Sequence, residues 1–486
     1  SLAIKVIYPD PNQLITYRDS NFIFGSVGNG HATLTIDGTP VRVEPNGAFL
    51  AFLPLPTHDA PSYALVATLG ADTARATTPV RLRPTIPLLA DTGVLVVDSA
   101  SVTPAGRLAL RDDELVRVAI RAPANATVTW RGDSGGAQPL VDVASLPART
   151  PRGAPLAPGA VTARYADDST SWATSVPASR LRAPTAIVVQ RGADSVRLTL
   201  PAIAPAPSPG TWGILGPDTS SVSDTDRVII GRPVPNGTYK WLLMAGTALP
   251  VTGAAGDFVR VKLDDALEVW IHQTDIALMP AGWTPPSRVA GNASIEPDSA
   301  WVDLVVPMSS RPPFLVEEGD HQLALTLYGV TGNTDIIHYA GRDSLVRVVR
   351  WEPVGTDRVR YTLELATQPF GYLAFWNDGR FVLRVRRPPH IDPSRPLAGL
   401  TIAVDPGHPP IGATGPTGLY EPVPTLAVGE KLRDILQARG ATVVMTRTTP
   451  APVALGDRPI MARRANAQAL VSIHLNALPD EIGRAS

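Results

Sequence analysis

The chain has 486 residues, a net charge of −1 and no cysteine. The balanced charge argues against electrostatic binding of nucleic acid, and the missing cysteines exclude disulfides and thiolate metal sites. No apolar run is long enough for a transmembrane helix. The length and the 50 prolines predict several domains that are mostly β. The pattern of the last region, described below, predicts that a partial α/β parallel-sheet domain follows them.

Residues 1–90 predict an Ig-like β-sandwich. Four segments have the composition of strands, namely 22–27, 32–36, 48–53 and 63–69. Asp37-Gly38 and Asn46-Gly47 are turn signals between them. Residues 91–208 predict a further β-rich domain with strands at 116–120 and 126–130. The segment 201–209 repeats Ala-Pro and predicts a stiff linker.

Residues 222–283 resemble a bacterial SH3-like barrel. The segments that carry the resemblance are 246–253, 256–263 and 269–271. Cell-wall binding and a spacer role are equally compatible with this region. Its aromatic residues Trp241, Phe258 and Trp270 fit either a binding surface or a core.

Residues 295–390 alternate with a period of two and resemble the AMIN-type β-sandwich of the bacterial envelope. Basic residues recur along the strands: Arg347, Arg358, Arg360, Arg384 and Arg386. They suit either a site for an anionic polymer or a solvated strand face, and the solvated face is the favoured interpretation.

Residues 398–486 have a different pattern. Apolar runs at 400–404, 441–445 and 469–473 predict strands, with the first buried on both faces. Residues 425–439 predict a helix that buries Val428, Leu432, Ile435 and Leu436, and 459–468 predict another. This β-α-β-α-β order predicts a parallel sheet with right-handed crossovers.

Two histidines and a glutamate in this last region lie at positions that suit a catalytic or metal-binding site. His408 follows the first strand, His474 follows the third, and Glu421 closes a glycine-rich loop, 412–421. Sites in parallel sheets form at the carboxyl ends of strands, and two imidazoles with a carboxylate are a common zinc set. Taken singly, a loop histidine is usually a surface residue, and Glu421 would suit a helix N-terminus. The trio together favours a metal site.

Short blocks in this region match one family in order: 405–408, 418–421, 446–447, 455–458, 462–466 and 472–477. Residues 398–480 therefore resemble the zinc-dependent N-acetylmuramoyl-L-alanine amidases of the amidase 3 type. The resemblance implies Zn²⁺ bound by His408, Glu421 and His474. It also implies peptidoglycan as substrate, cut between N-acetylmuramic acid and L-alanine by a zinc-activated water. Arg447 and Asn476 become candidate substrate contacts, although a salt bridge within the domain is an alternative for Arg447.

The chain departs from the family pattern in two places. Pro409 and Pro410 stand where the family has glycines, and Pro422 and Pro424 are expected to delay the first helix to about Thr425. Asp457 is expected to cap the second helix. The resemblance places the general-base Glu beyond Ser486, so the catalytic residue is unknown in this sequence.

The alternative function is a structural or peptidoglycan-binding envelope protein with an incomplete, inactive amidase module. Both interpretations place the protein in the periplasm or cell envelope, with a signal peptide removed. Other envelope proteins are possible partners in either case.

Overall fold

A computed structural model describes residues 2–15, 20–56, 61–82, 94–132, 136–143, 171–216, 228–415 and 418–475. The chain divides into two compact units: Ser1–Thr85 together with Pro389–Ser486, and Ile86–Pro388. Within the described ranges, no helix combines the length and the apolar character needed to cross a membrane.

The N-terminal region consists of two sheets around a core that includes Ile23, Phe49 and Tyr63. In sheet order, the strands of the smaller sheet are Lys5–Tyr8, Ser20–Ser26 and Ala48–Pro54. Those of the larger sheet are Gln13–Ile15, Asp72–Leu82, Ser62–Leu69, Thr33–Ile36 and Thr39–Val41. Asp37 and Gly38 both have positive φ, 49° and 79°, which suits a tight hairpin. The four strands predicted from the sequence are confirmed.

The next region likewise consists of two sheets, here of four strands each, packed around the buried Trp130. One contains, in order, Val141–Asp142, Ser171–Pro177, Leu115–Arg121 and Asp98–Thr103. The other contains Ala137–Pro139, Thr127–Arg131, Thr185–Arg191 and Asp194–Leu200. A 3₁₀ turn, Ala178–Leu181, precedes the strand that begins at Thr185.

The region that resembles an SH3-like barrel in sequence contains a seven-stranded sheet, and this sheet extends beyond residues 222–283. Its strands are Leu108–Leu110, Ala204–Pro205, Trp212–Leu215, Ala248–Ala255, Phe258–Asp264, Leu267–His272 and Ile276–Leu278. A separate pair is Val228–Gly231 with Trp241–Met244, and a 3₁₀ turn covers Gln273–Asp275. Trp241 and Phe258 are buried, so they serve as core residues here.

The predicted linker at 201–209 is wrong in part. Ala204 and Pro205 pair in parallel with Ala109 and Leu110, and the amide of Ala206 donates to the carbonyl of Leu110. Proline is tolerated in this position because the short strand lies at the edge of its sheet.

The fourth region has a five-stranded and a four-stranded sheet around a large apolar core. The first contains Ile337–Tyr339, Ala293–Pro297, Trp301–Pro307, Arg380–Arg386 and Tyr372–Trp376. The second contains Phe314–Gly319, Gln322–Tyr328, Arg358–Leu365 and Val346–Pro353, and a small pair joins Val289–Ala290 to Thr331–Gly332. Three of the basic residues pair with carboxylates, Arg358 with Asp264, Arg360 with Glu317 and Arg384 with Asp303. Their charges are matched within the protein, which argues against a polymer site at these three arginines.

Arginine side chains, of which Arg260 is buried, join neighbouring β regions inside the second unit. Arg260 lies 2.7 Å from Glu114, and Arg111 lies 2.7 Å from Glu268. Arg311 donates to the carbonyl of Ala245 over 2.8 Å. The β regions between Ile86 and Pro388 therefore share interfaces that contain specific polar contacts.

The C-terminal region is a three-stranded parallel sheet. The central strand Thr401–Pro406 lies between Thr442–Met445 and Ala469–Ile473. The central strand is buried from Ile402 onward, as predicted for a strand covered on both faces. Pro406 is in register with Ile473, so the residues that follow these two strands meet at one edge of the sheet.

The first helix of this region, Pro422–Ala438, begins earlier than predicted. The expectation that Pro422 and Pro424 delay the helix is wrong. Proline suits the first helical turn, since the amide that it lacks has no partner inside the helix there. At the other end Gly440, with φ of 93°, follows the last helical residues, in the left-handed conformation that commonly ends a helix.

The buried face of this helix also differs from the prediction. Leu432 and Leu436 pack against the core, but Val428 and Ile435 are 47% and 52% exposed. A Cβ on Gly429 would lie 2.7 Å from Cγ of Pro406. The helix therefore approaches the central strand most closely at a residue without a side chain, and this contact sets the buried face.

The second helix, Asp457–Arg464, has Gly456 at its N-cap position and no side-chain cap bond. The expectation that Asp457 caps this helix is wrong. Asp457 lies instead in the first turn, where a negative charge interacts favourably with the helix dipole.

Candidate metal centre

Three predicted ligands meet at the carboxyl edge of the C-terminal sheet. His408 lies just beyond the central strand, His474 directly follows the strand Ala469–Ile473, and Glu421 immediately precedes the first helix. One nitrogen or oxygen atom from each lies within 4.8 Å of the others. The strand register explains this meeting, because Pro406 and Ile473 are neighbours.

The glycine-rich loop carries Glu421 back over this edge. The amide of Glu421 donates to the carbonyl of Ala413 over 2.8 Å, and Thr414 pairs with Tyr420. The amide of Gly415 donates to the carbonyl of Leu419 over 2.9 Å. These bonds fold the loop onto itself and deliver the carboxylate to the two imidazoles.

The carboxylate of Glu421 lies between the two rings. Its Oε2 is 3.2 Å from Nε2 of His408, and its Oε1 is 3.3 Å from Nδ1 of His474. The two rings are perpendicular, with centroids 4.9 Å apart. Glu421 is 3% exposed, but the side chain of His474 is 41% exposed. The cluster is therefore closed behind the carboxylate and open to solvent beside His474.

Glu421 is held as a carboxylate. Burial opposes its ionisation, but the amides of Ala413 and Leu475 donate to its two oxygens over 2.9 and 2.8 Å, and both imidazoles are adjacent. The net effect is a pKa below the usual value for glutamate. A carboxylate that stays ionised is the form that binds a cation.

Gly407 allows His474 to approach the central strand. A Cβ at this position would lie 2.5 Å from Cε1 of His474 and 2.7 Å from both ring nitrogens. Any side chain at 407 would therefore displace the imidazole. The Gly in Asp405-Pro406-Gly407-His408 is required by this packing.

A network centred on the Asp405 carboxylate joins the elements that carry the ligands. Thr446 and Arg458 donate to its Oδ1 over 2.6 and 2.7 Å, and Ser472 donates to its Oδ2 over 2.7 Å. Burial raises the pKa of Asp405, yet these bonds outweigh burial, and the pKa is lowered overall. One buried carboxylate thus connects all three strands with the second helix.

Arg458 supports the turn that contains His408. His408 has φ of 57°, a left-handed conformation that is costly for most residues other than glycine. The Nη2 atom of Arg458 donates to the carbonyls of His408 and Pro409 over 3.3 and 3.2 Å. Sequence reasoning assigned no site role to Arg458 or Asp405. The signal available in the sequence was an aspartate, Asp405, directly after the apolar run 400–404.

Of the two candidate substrate contacts, the structure describes Arg447 alone. Arg447 is 4% exposed, and its described bonds go to main-chain carbonyls and the Thr425 hydroxyl. These contacts support a structural role, and substrate binding by Arg447 stays an untested prediction. Asn476 lies outside the described residues.

Comparison with known proteins identifies the same region. Residues 402–483 match the protein family described as N-acetylmuramoyl-L-alanine amidase. The germination-specific N-acetylmuramoyl-L-alanine amidase of Bacillus subtilis (strain 168) is 38% identical over 104 residues, which cover 18% of this chain and 44% of that protein. The chain thus spans less than half of this relative's length.

Solved structures matched by the chain are much more distant. A chimeric titin Z1Z2 is 8% identical, with a TM-score of 0.20, and the match covers 43% of this chain and all of that one. Extracellular domains 3–5 of Drosophila OTK are 12% identical, with a TM-score of 0.17 and coverages of 63% and 93%. Scores this low carry no conclusion about the β regions.

Replacing Gly407 by alanine should weaken metal binding without unfolding the sheet. The new methyl group displaces the mobile end of His474, which costs the fold little but separates the ligand atoms. We expect Zn²⁺ affinity, measured by chelator competition, to fall at least about tenfold, the scale seen when groups around metal ligands are disturbed. Gly371→Ala is the matched control, since its Cβ would meet nothing within 4 Å. Equal affinity of the Gly407→Ala and wild-type proteins would contradict the packing argument.

Replacing Asp405 by asparagine should destabilise the C-terminal sheet. The change leaves the Arg458 charge buried without its partner, and such losses cost about 3–5 kcal/mol. Hydrogen exchange of the 401–406 amides measures the stability of this sheet alone. A local measurement is necessary because a chain with several cores has no single free energy of unfolding. Asp434→Asn, at a solvent-exposed pair with Arg433, is the control and should leave the exchange of these amides unchanged.

The difference between wild type and Asp405→Asn should depend on pH. Because the folded pKa of Asp405 is lowered, its stabilisation is complete above the unfolded value of about 3.9 and is lost as pH falls through the lower folded value. Exchange measured from pH 6 downward should therefore show a constant gap that closes only in acid below about pH 4. A gap that closes near neutral pH would refute the assignment.

Proposed function

We propose that the C-terminal region acts as a zinc-dependent N-acetylmuramoyl-L-alanine amidase on peptidoglycan. The observation that carries the proposal is the cluster of His408, Glu421 and His474, whose ligand atoms lie within 4.8 Å of one another. The match of residues 402–483 to the amidase family supports the choice of substrate and bond. The match to the family does not favour a purely structural protein.

The residues present suit zinc. Two atoms bound tetrahedrally at about 2.0–2.1 Å from one ion lie about 3.3 Å apart. The two imidazole–carboxylate separations, 3.2 and 3.3 Å to different oxygens of Glu421, are close to this spacing, and one atom from each of the three ligands lies within 4.8 Å of the others. A set of two nitrogens and one oxygen, without sulfur, leaves one position for water or substrate, as in catalytic zinc sites.

When bound, zinc supplies a Lewis acid that polarises a carbonyl and lowers the pKa of water to about 7. The chain's own part is to hold the ligands and to keep one side open. Glu421 is buried with both oxygens already bonded, which suits a ligand and leaves it poorly placed as a mobile proton carrier. The general-base Glu that the resemblance implies stays a prediction.

We further propose that the protein works outside the cytoplasm, in the periplasm or cell envelope, because its proposed substrate is there. The β regions that occupy most of the chain would then space or hold the amidase region against the wall. Binding to other envelope proteins stays a prediction.

The proposal is tested by metal content and by product. We expect the purified chain to hold about one zinc per molecule, and His408→Ala, Glu421→Gln and His474→Ala each to lose most of it, because three protein ligands define the site. On isolated peptidoglycan, the protein should release peptides with free N-terminal L-alanine in a chelator-sensitive manner. His390→Ala is a control, since this histidine lies outside the cluster.

Unchanged zinc content in both histidine variants would refute the site. Zinc binding without chelator-sensitive amide cleavage by the protein would refute the enzymatic part alone.

A further inference from the structure

Arg447 contacts two of the three segments that carry the proposed metal ligands. It follows the edge strand Thr442–Met445 and is 4% exposed. Its Nε donates to the carbonyl of Pro406 over 2.8 Å, and its Nη2 lies 3.1 Å from the carbonyl of Gly407. These two carbonyls immediately precede His408.

The same guanidinium reaches the beginning of the first helix. Nη2 of Arg447 lies 2.8 Å from the carbonyl of Pro422 and 3.0 Å from the hydroxyl of Thr425. Pro422 directly follows Glu421, so one planar group contacts main chain beside two of the three ligands.

Thr425 closes this contact from the helix side. Its hydroxyl is 2.9 Å from the carbonyl of Gly407 and 3.0 Å from the carbonyl of Glu421, and Thr425 is fully buried. The helix therefore has two buried polar connections to the turn of His408, one through Arg447 and one through Thr425. Neither side chain contacts the ligand atoms themselves.

The chemistry of arginine explains the choice of residue. All three of its nitrogens are used: Nε contacts the carbonyl of Pro406, Nη1 that of Thr449, and Nη2 the acceptors of the His408 turn and the helix start. A guanidinium presents five donors in a fixed plane, whereas a lysine ammonium is a single point with three rotating donors. Lysine at 447 would keep the charge but could not contact all of these acceptors together.

We propose that Arg447 is a positioning residue that fixes the spacing between His408 and Glu421, with Thr425 as its partner. This inference rests on the proposed metal site and adds a determinant of its affinity. It replaces direct substrate contact as the role of Arg447, because the guanidinium is buried and faces the main chain.

The test compares Zn²⁺ affinity among variants of the whole chain. We expect Arg447→Lys to weaken Zn²⁺ binding by about tenfold or more, the range for residues that support metal ligands. Thr425→Val, which keeps the shape and removes the hydroxyl, should weaken it by a smaller factor and serves if Arg447→Lys folds poorly. Thr425→Ser and Arg439→Lys are the matched controls, since serine keeps the hydroxyl and Arg439 is exposed at the helix end.

A second readout separates positioning from folding. Hydrogen exchange of the 401–406 amides, measured without metal, reports the stability of the central strand. Under the proposal, Zn²⁺ affinity falls in Arg447→Lys and Thr425→Val although the strand remains protected. The absorption spectrum of the Co²⁺-substituted protein should also shift, because the ligand spacing changes.

The outcomes are distinct. Wild-type affinity in both variants, or affinity losses fully accounted for by loss of strand protection, would overturn the positioning role. A wild-type protein that binds no Zn²⁺ would overturn the proposed metal site, and the inference with it.

Discussion

The buried carboxylate of Asp405 is the interaction on which the C-terminal region depends. It accepts bonds from Thr446, Arg458 and Ser472, which belong to or directly follow three other elements. A buried ion pair is favourable only when its remaining lone pairs and protons are also bonded, and here they are. Because His408 and His474 follow two of the connected strands, the same network sets the position of the candidate ligands.

Around this network, close packing positions the helix and His474, and polar contacts stabilise the turns. Gly429 and Gly407 let the first helix and His474 approach the central strand, where any side chain would collide. Buried arginines then bond to the carbonyls that such tight turns leave without strand partners. In the resulting site the side chain of Glu421 is buried and bonded, whereas the side chain of His474 is exposed to solvent. That asymmetry suits a centre that must hold an ion firmly and still admit a large substrate.

The meeting of His408, Glu421 and His474 could be predicted from sequence, since adjacent parallel strands bring their ends together and the apolar runs mark those strands. The start of the first helix and its buried face could not be predicted from the sequence. They depend on a contact between Gly429 and Pro406 that has no signal in hydrophobic periodicity. The pairing of Leu108–Leu110 with the distant strand Ala248–Ala255 was missed for a similar reason, because long-range register leaves no local pattern.

The central claim is that one zinc ion is held by two imidazoles and one carboxylate of this chain. X-ray absorption of the zinc-loaded protein tests it most directly. The account predicts two histidine nitrogens and oxygen ligands at about 2.0–2.2 Å in a four-coordinate shell, with one imidazole lost in His474→Ala. A shell of oxygen ligands alone, or a spectrum that His474→Ala does not change, would contradict it.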